Sequence, residues 1–139
     1  MKAFLDTSVL VPVFYRPHVH HAESMRLFLQ SDRLSACCGA HSLAEFYSTV
    51  TRMPGRIGGD QAMLLISEIR ERLTVVALDG ADYVRALGKS AALGVSGGTI
   101  YDVLLAECAL KAGAEAIFTW NLRHYSLLGP EVTGRLRRP

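Results

Sequence analysis

No apolar run in these 139 residues approaches the roughly 18 uninterrupted positions that a membrane span requires. Charge of one sign is missing too. Lysine and arginine number 15 against 13 acids, a net charge of +2, too small for an indiscriminately basic nucleic-acid coat. Cysteine is scarce, with Cys37 and Cys38 adjacent and Cys108 in an apolar segment. An odd count without ligand spacing argues against zinc and fits buried free thiols in a reducing cytosol. Lys2 precedes an apolar stretch, but Asp6 and Pro12 interrupt it and no small-residue cleavage site follows. The start is therefore expected to be a core strand, not a signal peptide, in a cytoplasmic protein without a membrane segment. No repeat, composition break or low-complexity linker divides the chain, so residues 1–139 are expected to form a single domain with ample core material.

Half of the residues are apolar, and short β-prone runs alternate with longer helical ones. Ala3 to Asp6, Leu34 to Cys38, Leu73 to Leu78 and Ala116 to Trp120 read as strands. Helices are expected over Ser8 to Tyr15 with Pro12 near the first turn, His20 to Gln30, and His41 to Arg52. Three more run over Gly59 to Arg72, Ala81 to Leu93 behind an Asp79 cap, and Thr99 to Ala112. Met63, Leu64, Ile66 and Ile69 mark the apolar stripe of the fourth. The last is apolar almost all round, apart from a Glu107–Lys111 pair four residues apart, so it should be buried. This alternation predicts an α/β fold, a three-layer α/β/α sandwich around a parallel sheet of four to five short strands. Arg135, Arg137 and Arg138 form a basic tail, either solvated surface or a phosphate contact.

Four segments place an oxygen-rich residue beside an apolar run: Leu5-Asp6-Thr7-Ser8, Ser42-Leu43-Ala44-Glu45, Thr99-Ile100-Tyr101-Asp102 and Phe118-Thr119-Trp120-Asn121. Three carboxylates and an amide could converge on one hard cation, Mg²⁺ or Mn²⁺, of the kind that assists phosphodiester cleavage. Plainer roles compete with this one. Asp6 could simply cap a helix, and Ser42-x-x-Glu45 and Thr99-x-x-Asp102 both match the capping box. Asn121 could be a turn residue or cap. Asp102 is the hardest to dismiss, because an acid on so apolar a helix costs free energy unless it is paired or metal-bound. A phosphotransfer aspartate is disfavoured, since Ser8 stands where a second aspartate would be needed. His18, His20 and His21 lack a further ligand in register. Trp120 and Tyr101 could stack bases or serve as core.

In order, spacing and setting, Leu5-Asp6-Thr7-Ser8, Ala44-Glu45-Phe46, Tyr101 to Ala106 and Thr119 to Tyr125 together resemble the PIN domain family. Within it the resemblance is greatest to the VapC toxins of toxin–antitoxin pairs, and it covers essentially the whole chain. It implies a Mg²⁺- or Mn²⁺-dependent ribonuclease acting on RNA. Asp6, Glu45 and Asp102 match the family's acidic triad, and Asn121 matches a fourth position that is often aspartate. Asp6 and Asp102 would be the principal metal ligands, with Glu45 holding water or deprotonating the nucleophile. Asn121 would orient water. Thr7 and Ser8 would bond a carboxylate or phosphate oxygen, and Arg52 and Arg123 would contact RNA. The crowded acids should raise one another's pKa, so that at least one holds a proton until a cation displaces it. The resemblance also implies a cognate antitoxin that lays a basic side chain across the acids, and a homodimer through apolar faces of the early helices. A catalytically inactive PIN-like RNA- or protein-binding module, and a PIN nuclease of RNA maturation without an antitoxin, are the alternative functions.

Overall fold

A computed structural model describes all 139 residues, Met1–Pro139. The chain runs β1 (Ala3–Leu5), α1 (Thr7–Val13), α2 (His21–Leu29), β2 (Ala36–Gly39), α3 (Ala40–Val50), α4 (Gly59–Arg72) and β3 (Thr74–Val76). It continues α5 (Gly80–Ala92), α6 (Thr99–Lys111), β4 (Ala116–Phe118), α7 (Leu122–Tyr125), α8 (Pro130–Thr133) and β5 (Leu136–Arg137). The strands form one wholly parallel sheet in the order β3-β2-β1-β4-β5.

Side chains alternate across a strand, and here that alternation sorts the core into two layers. Phe4, Cys37 and Ile117 stand in one register row and pack with α5 to α8. Leu5, Ala36 and Cys38 point the other way, into a second core with Val9, Phe46, Ile66 and Ile69 from α1, α3 and α4. The result is the expected three-layer sandwich. The three cysteines are free and buried, and burial pushes Cys37 and Cys108 to about 11 and Cys38 to about 12. No helix is long and apolar enough to cross a membrane.

Helix α6 is the central beam. Val103, Leu104, Leu105, Ala106, Cys108 and Ala109 are all buried, as its composition predicts. Its polar contacts differ from the expected Glu107–Lys111 pair. Glu107 Oε1 accepts from Lys89 Nζ at 2.7 Å, and Lys111 Nζ donates to Asp82 Oδ2 at 2.6 Å. Both bonds cross to α5, where Asp79 and Asp82 form a reciprocal capping box. The Lys111 hydrogen bond is the main cause that holds the Asp82 carboxyl down at about 2.

Three other expectations are corrected or narrowed. Pro12 lies in the last turn of α1, not the first, one residue before the helix ends. The basic tail is anchored at its start, where β5 pairs with β4 and Arg135 donates to the carbonyls of Glu131 and Ala114, while Arg137 and Arg138 are exposed, as expected of solvated surface. On α4 the buried face is Ala62, Ile66 and Ile69, leaving Met63 and Leu64 exposed. The apolar face of α1 is likewise buried within the chain, so of the early helices only α2 to α4 present apolar side chains, such as Leu29, Tyr47 and Leu64.

The rotation of α4 separates two residues that its sequence pattern treats alike. Ile69→Ala should cost about 2–5 kcal/mol in chemical denaturation. Leu64→Ala, at a position 68% exposed, should change stability by no more than about 0.5 kcal/mol. Equal losses would show that α4 packs on the wrong face.

Candidate active site

Parallel sheets place their sites beyond the carboxyl ends of the strands, where the strand order reverses. Here β1 leads out through β2 and β3 on one side, while β4 leads to β5 on the other. The reversal lies between β1 and β4, and Asp6 and Asn121 stand just past their ends.

Asp6 is only 4% exposed and is tightly held. Oδ1 accepts the backbone N–H of Thr7 at 2.6 Å, while Oδ2 accepts the hydroxyls of Thr119 at 2.7 Å and Ser8 at 3.0 Å. Ser8 Oγ in turn accepts the Trp120 N–H, and Thr119 Oγ1 accepts the Asn121 N–H. Asp6 is therefore the N-cap of α1 and also the knot between β1 and β4. A carboxylate offers about four acceptor directions. Three are taken, which leaves one on Oδ1 for a cation or its water.

The capping boxes proposed for Glu45 and Asp102 do not form. Helix α3 begins after Gly39 and α6 after Gly98, each without a side-chain cap. Both helices start too early for Ser42 or Thr99 to stand at the N-cap. Ser42 lies inside α3, fully buried, its hydroxyl without a partner. Glu45 Oε1 instead accepts the Thr7 hydroxyl at 2.9 Å. Gly97, at φ 63°, makes the turn into α6 that few other residues could make, and Asp102 follows in its first turn. The nearest basic group to Asp102 is His124, with Nδ1 3.8 Å from Oδ2.

Asp6, Thr7, Ser8, Glu45, Asp102 and Asn121 line one cleft of about 450 Å³, with His18, His20, Thr49, Trp120 and His124 on its walls. The Thr7 hydroxyl donates to Glu45 and the Ser8 hydroxyl lies 3.0 Å from Asp6 Oδ2, so both hydrogen-bond carboxylates of the cleft. Asn121 is exposed and N-caps α7, but its amide side chain makes no capping bond. Arg52 lies past the end of α3 in an adjoining cleft that shares Glu45, and Arg123 lies in another that shares Glu45 and Asp102.

The histidines take other parts. His21 Nδ1 lies 2.7 Å from the Pro12 carbonyl, and His18 Nδ1 accepts the His20 N–H at 3.0 Å. Burial, then His20 and His21, lower the pKa of His18. Trp120 stacks on His20 with ring centres 3.7 Å apart and donates its indole N–H to buried Ser24. It is a fixed wall.

No group of three or more His, Cys, Asp or Glu side chains is drawn together tightly enough to cage a metal ion. The acids are a loose, oxygen-only set. That suits Mg²⁺, which keeps several waters and is usually bound through one or two carboxylates, better than an ion that needs a closed protein cage. The donor chemistry fits a hydrated hard cation.

The PIN domain model matches residues 3–127. The chain belongs to the PIN domain family. Ribonuclease VapC27 of Mycobacterium tuberculosis is 34% identical over 114 residues, 80% of this chain and 79% of the relative. Among solved structures, M. tuberculosis VapC20, described as a sarcin-ricin loop cleaving toxin, superposes with a TM-score of 0.74 at 14% identity. That match covers 90% of this chain and 94% of VapC20. A DNA-bound VapBC structure from Salmonella typhimurium gives 0.69 at 20% identity over 99% and 98% of the two chains.

Two residues of this PIN domain escape sequence reasoning. Thr119 is fully buried and joins Asp6 to Asn121, and its only signal was a hydroxyl at the end of an apolar strand. Tyr125 is fully buried beneath the acids with its hydroxyl unpartnered. Burial first, then the charges of Asp6 and Asp102, push that hydroxyl well above its ordinary value.

Asp102 holds its proton to a higher pH than an ordinary aspartate, with a pKa raised to about 6. Burial is the main cause, and the neighbouring Asp6 and Glu45 add to it against the opposing pull of His124. Crowding, the expected cause, is secondary. Because the folded state binds this proton more tightly than the unfolded one, the contribution of Asp102 to stability is full below pH 3.8. It is lost as pH rises to about 6. A cation held by Asp102 would compete with the same proton, so Mn²⁺ should bind more tightly as pH rises through about 6. Melting temperatures of the metal-free protein between pH 4 and 7 should fall more steeply than those of Asp102→Asn. Coincident curves would remove Asp102 from the acid cluster.

Proposed function

We propose that this PIN domain is a divalent-metal-dependent endoribonuclease that hydrolyses RNA phosphodiester bonds, and that it is the toxin of a VapBC-type pair. The observation that carries this reading is the meeting of Asp6, Glu45, Asp102 and Asn121, from four distant segments, in one cleft at the sheet's reversal point. The relatives named as ribonucleases supply the substrate class.

Asp6 and Asp102 would hold Mg²⁺ or Mn²⁺ with Glu45 alongside, and the ion's chemistry there is to lower the pKa of water and polarise a phosphate oxygen. Asp6 contributes a fixed negative charge, since three hydrogen bonds hold its carboxylate still. Glu45, steadied on one oxygen by Thr7, keeps its second oxygen for a proton of the attacking water. The free amide of Asn121 orients that water. Arg52 and Arg123 flank the acids on the side of Glu45 and Asp102, where they would pair with phosphates on either side of the bond to be cut.

The antitoxin partner is supported by the VapBC complexes that share this fold, and a cytoplasmic setting by three buried free thiols. Self-association into a homodimer belongs to the same proposal.

Incubated with a mixed RNA pool, the protein should yield discrete fragments in Mg²⁺ or Mn²⁺ and none in EDTA. Asp102→Asn should lower cleavage by on the order of a hundredfold or more. Its melting temperature should hold or rise, because the variant removes a half-buried carboxyl whose nearest basic group, His124, stands 3.8 Å away. Full activity in Asp102→Asn would overturn the site.

A further inference from the structure

Two coplanar ring pairs flank the acids, and they are not equivalent. Trp120 and His20 form the first, and Trp120 is anchored by its indole hydrogen bond and packed against the core. His41 and Tyr101 form the second, with ring centres 5.0 Å apart and planes within 8°. His41 is in the first turn of α3 and Tyr101 in the first turn of α6, immediately before Asp102. Tyr101 is 49% exposed, a large aromatic surface left bare at the edge of a charged site.

Tyr101 borders both clefts that adjoin the acidic one. The cleft shared with Arg52 is lined by His41. The other, of about 540 Å³, is not; Asp102, Arg123, His124 and Leu127 line it with Tyr101. Tyr101, half exposed, lends its ring to the second cleft without His41 beside it there. Leu127, 70% exposed, gives that cleft an apolar rim, and Arg123 brings a guanidinium to it. An aromatic face, an apolar edge and a cation beside a carboxylate site match one nucleotide, with its base on the ring and its phosphate on the arginine.

Resting on the ribonuclease reading above, we propose that Tyr101, backed by His41, is a stacking platform for the nucleobase next to the scissile phosphate of single-stranded RNA, with Arg123 on that nucleotide's phosphate. Stacking tolerates any base, so the platform sets the register of the strand over the acids and not its sequence. His41 holds the tyrosine ring upright and, by joining α3 to α6, holds Glu45 and Asp102 across from each other.

Fluorescence anisotropy with a short labelled single-stranded RNA tests this, in the Asp102→Asn background so that binding is read without cleavage. Adding Tyr101→Ala should weaken binding roughly five- to hundredfold, the usual range for loss of one base stack. Tyr101→Phe should stay within about twofold of the parent, and His41→Ala, which removes the ring's backing but not the ring, should weaken binding less than Tyr101→Ala does. An RNA carrying one abasic site at the stacked position should bind the parent as weakly as intact RNA binds Tyr101→Ala. Unchanged binding in Tyr101→Ala overturns the platform alone. So does an equal loss in His41→Ala, which would trace the effect to helix packing. No binding of any RNA by the parent overturns the ribonuclease reading, and the platform with it.

Discussion

The carboxylate of Asp6 is the constraint on which the rest of this structure turns. Three donors, two from the start of α1 and one from the end of β4, converge on it, and two of those donors accept backbone N–H groups from the β4 loop. An acid this buried is costly unless its hydrogen bonds are complete. Thr7, Ser8 and Thr119 complete all but one of them. The same bonds align β1 with β4, orient α1 and place Asn121, so fold and site share one network. Half-satisfied, such a network would be worse than an apolar core. Its remaining acceptor direction makes it a site and not only a joint.

Helix α6 supplies the second constraint. It is buried nearly all round, and the buried residues Phe4, Cys37, Ile117 and Tyr125 share its core layer. Its axis is therefore fixed, and its first turn is brought to the sheet's edge with Tyr101 and Asp102 on it. Asp82 fastens the other flank through Lys111. A carboxyl at the first turn of so rigid a beam cannot swing out into water, so burial first, and the neighbouring acids after it, raise the pKa of Asp102 to about 6. The reservoir of unfavourable charge is built into the packing.

Much of this was legible in the sequence because the signals were long or chemically costly. Strands β1 to β4 and helices α4 to α6 follow from apolar runs and from breakers such as Gly94 and Gly113. The four oxygen-bearing residues stood out because acids beside apolar runs need a reason to be there. What failed did so for identifiable reasons. Strand β5 has only two residues, Leu136 and Arg137, too few for any alternation to show. The stripe of α4 was misplaced because Ala62, a small residue, marks the buried face as well as a leucine does but advertises it less. The capping boxes matched by spacing alone, while Gly39 and Gly98 start the helices earlier. Lys111 was assigned to its own helix because sequence shows neighbours at four residues, whereas Asp82 lies on another helix. Thr119 was invisible because a threonine at a strand end is ordinary until its hydroxyl is seen on Asp6.

Charge distribution explains how a chain with a net charge of only +2 could handle a polyanion. No general positive field is available to draw RNA in, and the cleft itself is acidic. On the proposed reading, attraction would be local, from Arg52 and Arg123 in the two adjoining clefts and from a cation among the acids. Without that cation, three carboxylates would repel the very phosphate the arginines attract. The same acids offer a ready partner to a basic side chain from another protein, which would then compete with the cation for them. If the proposed function holds, one cluster would make RNA binding, catalysis and inhibition depend on a single variable, the positive charge that occupies the cleft.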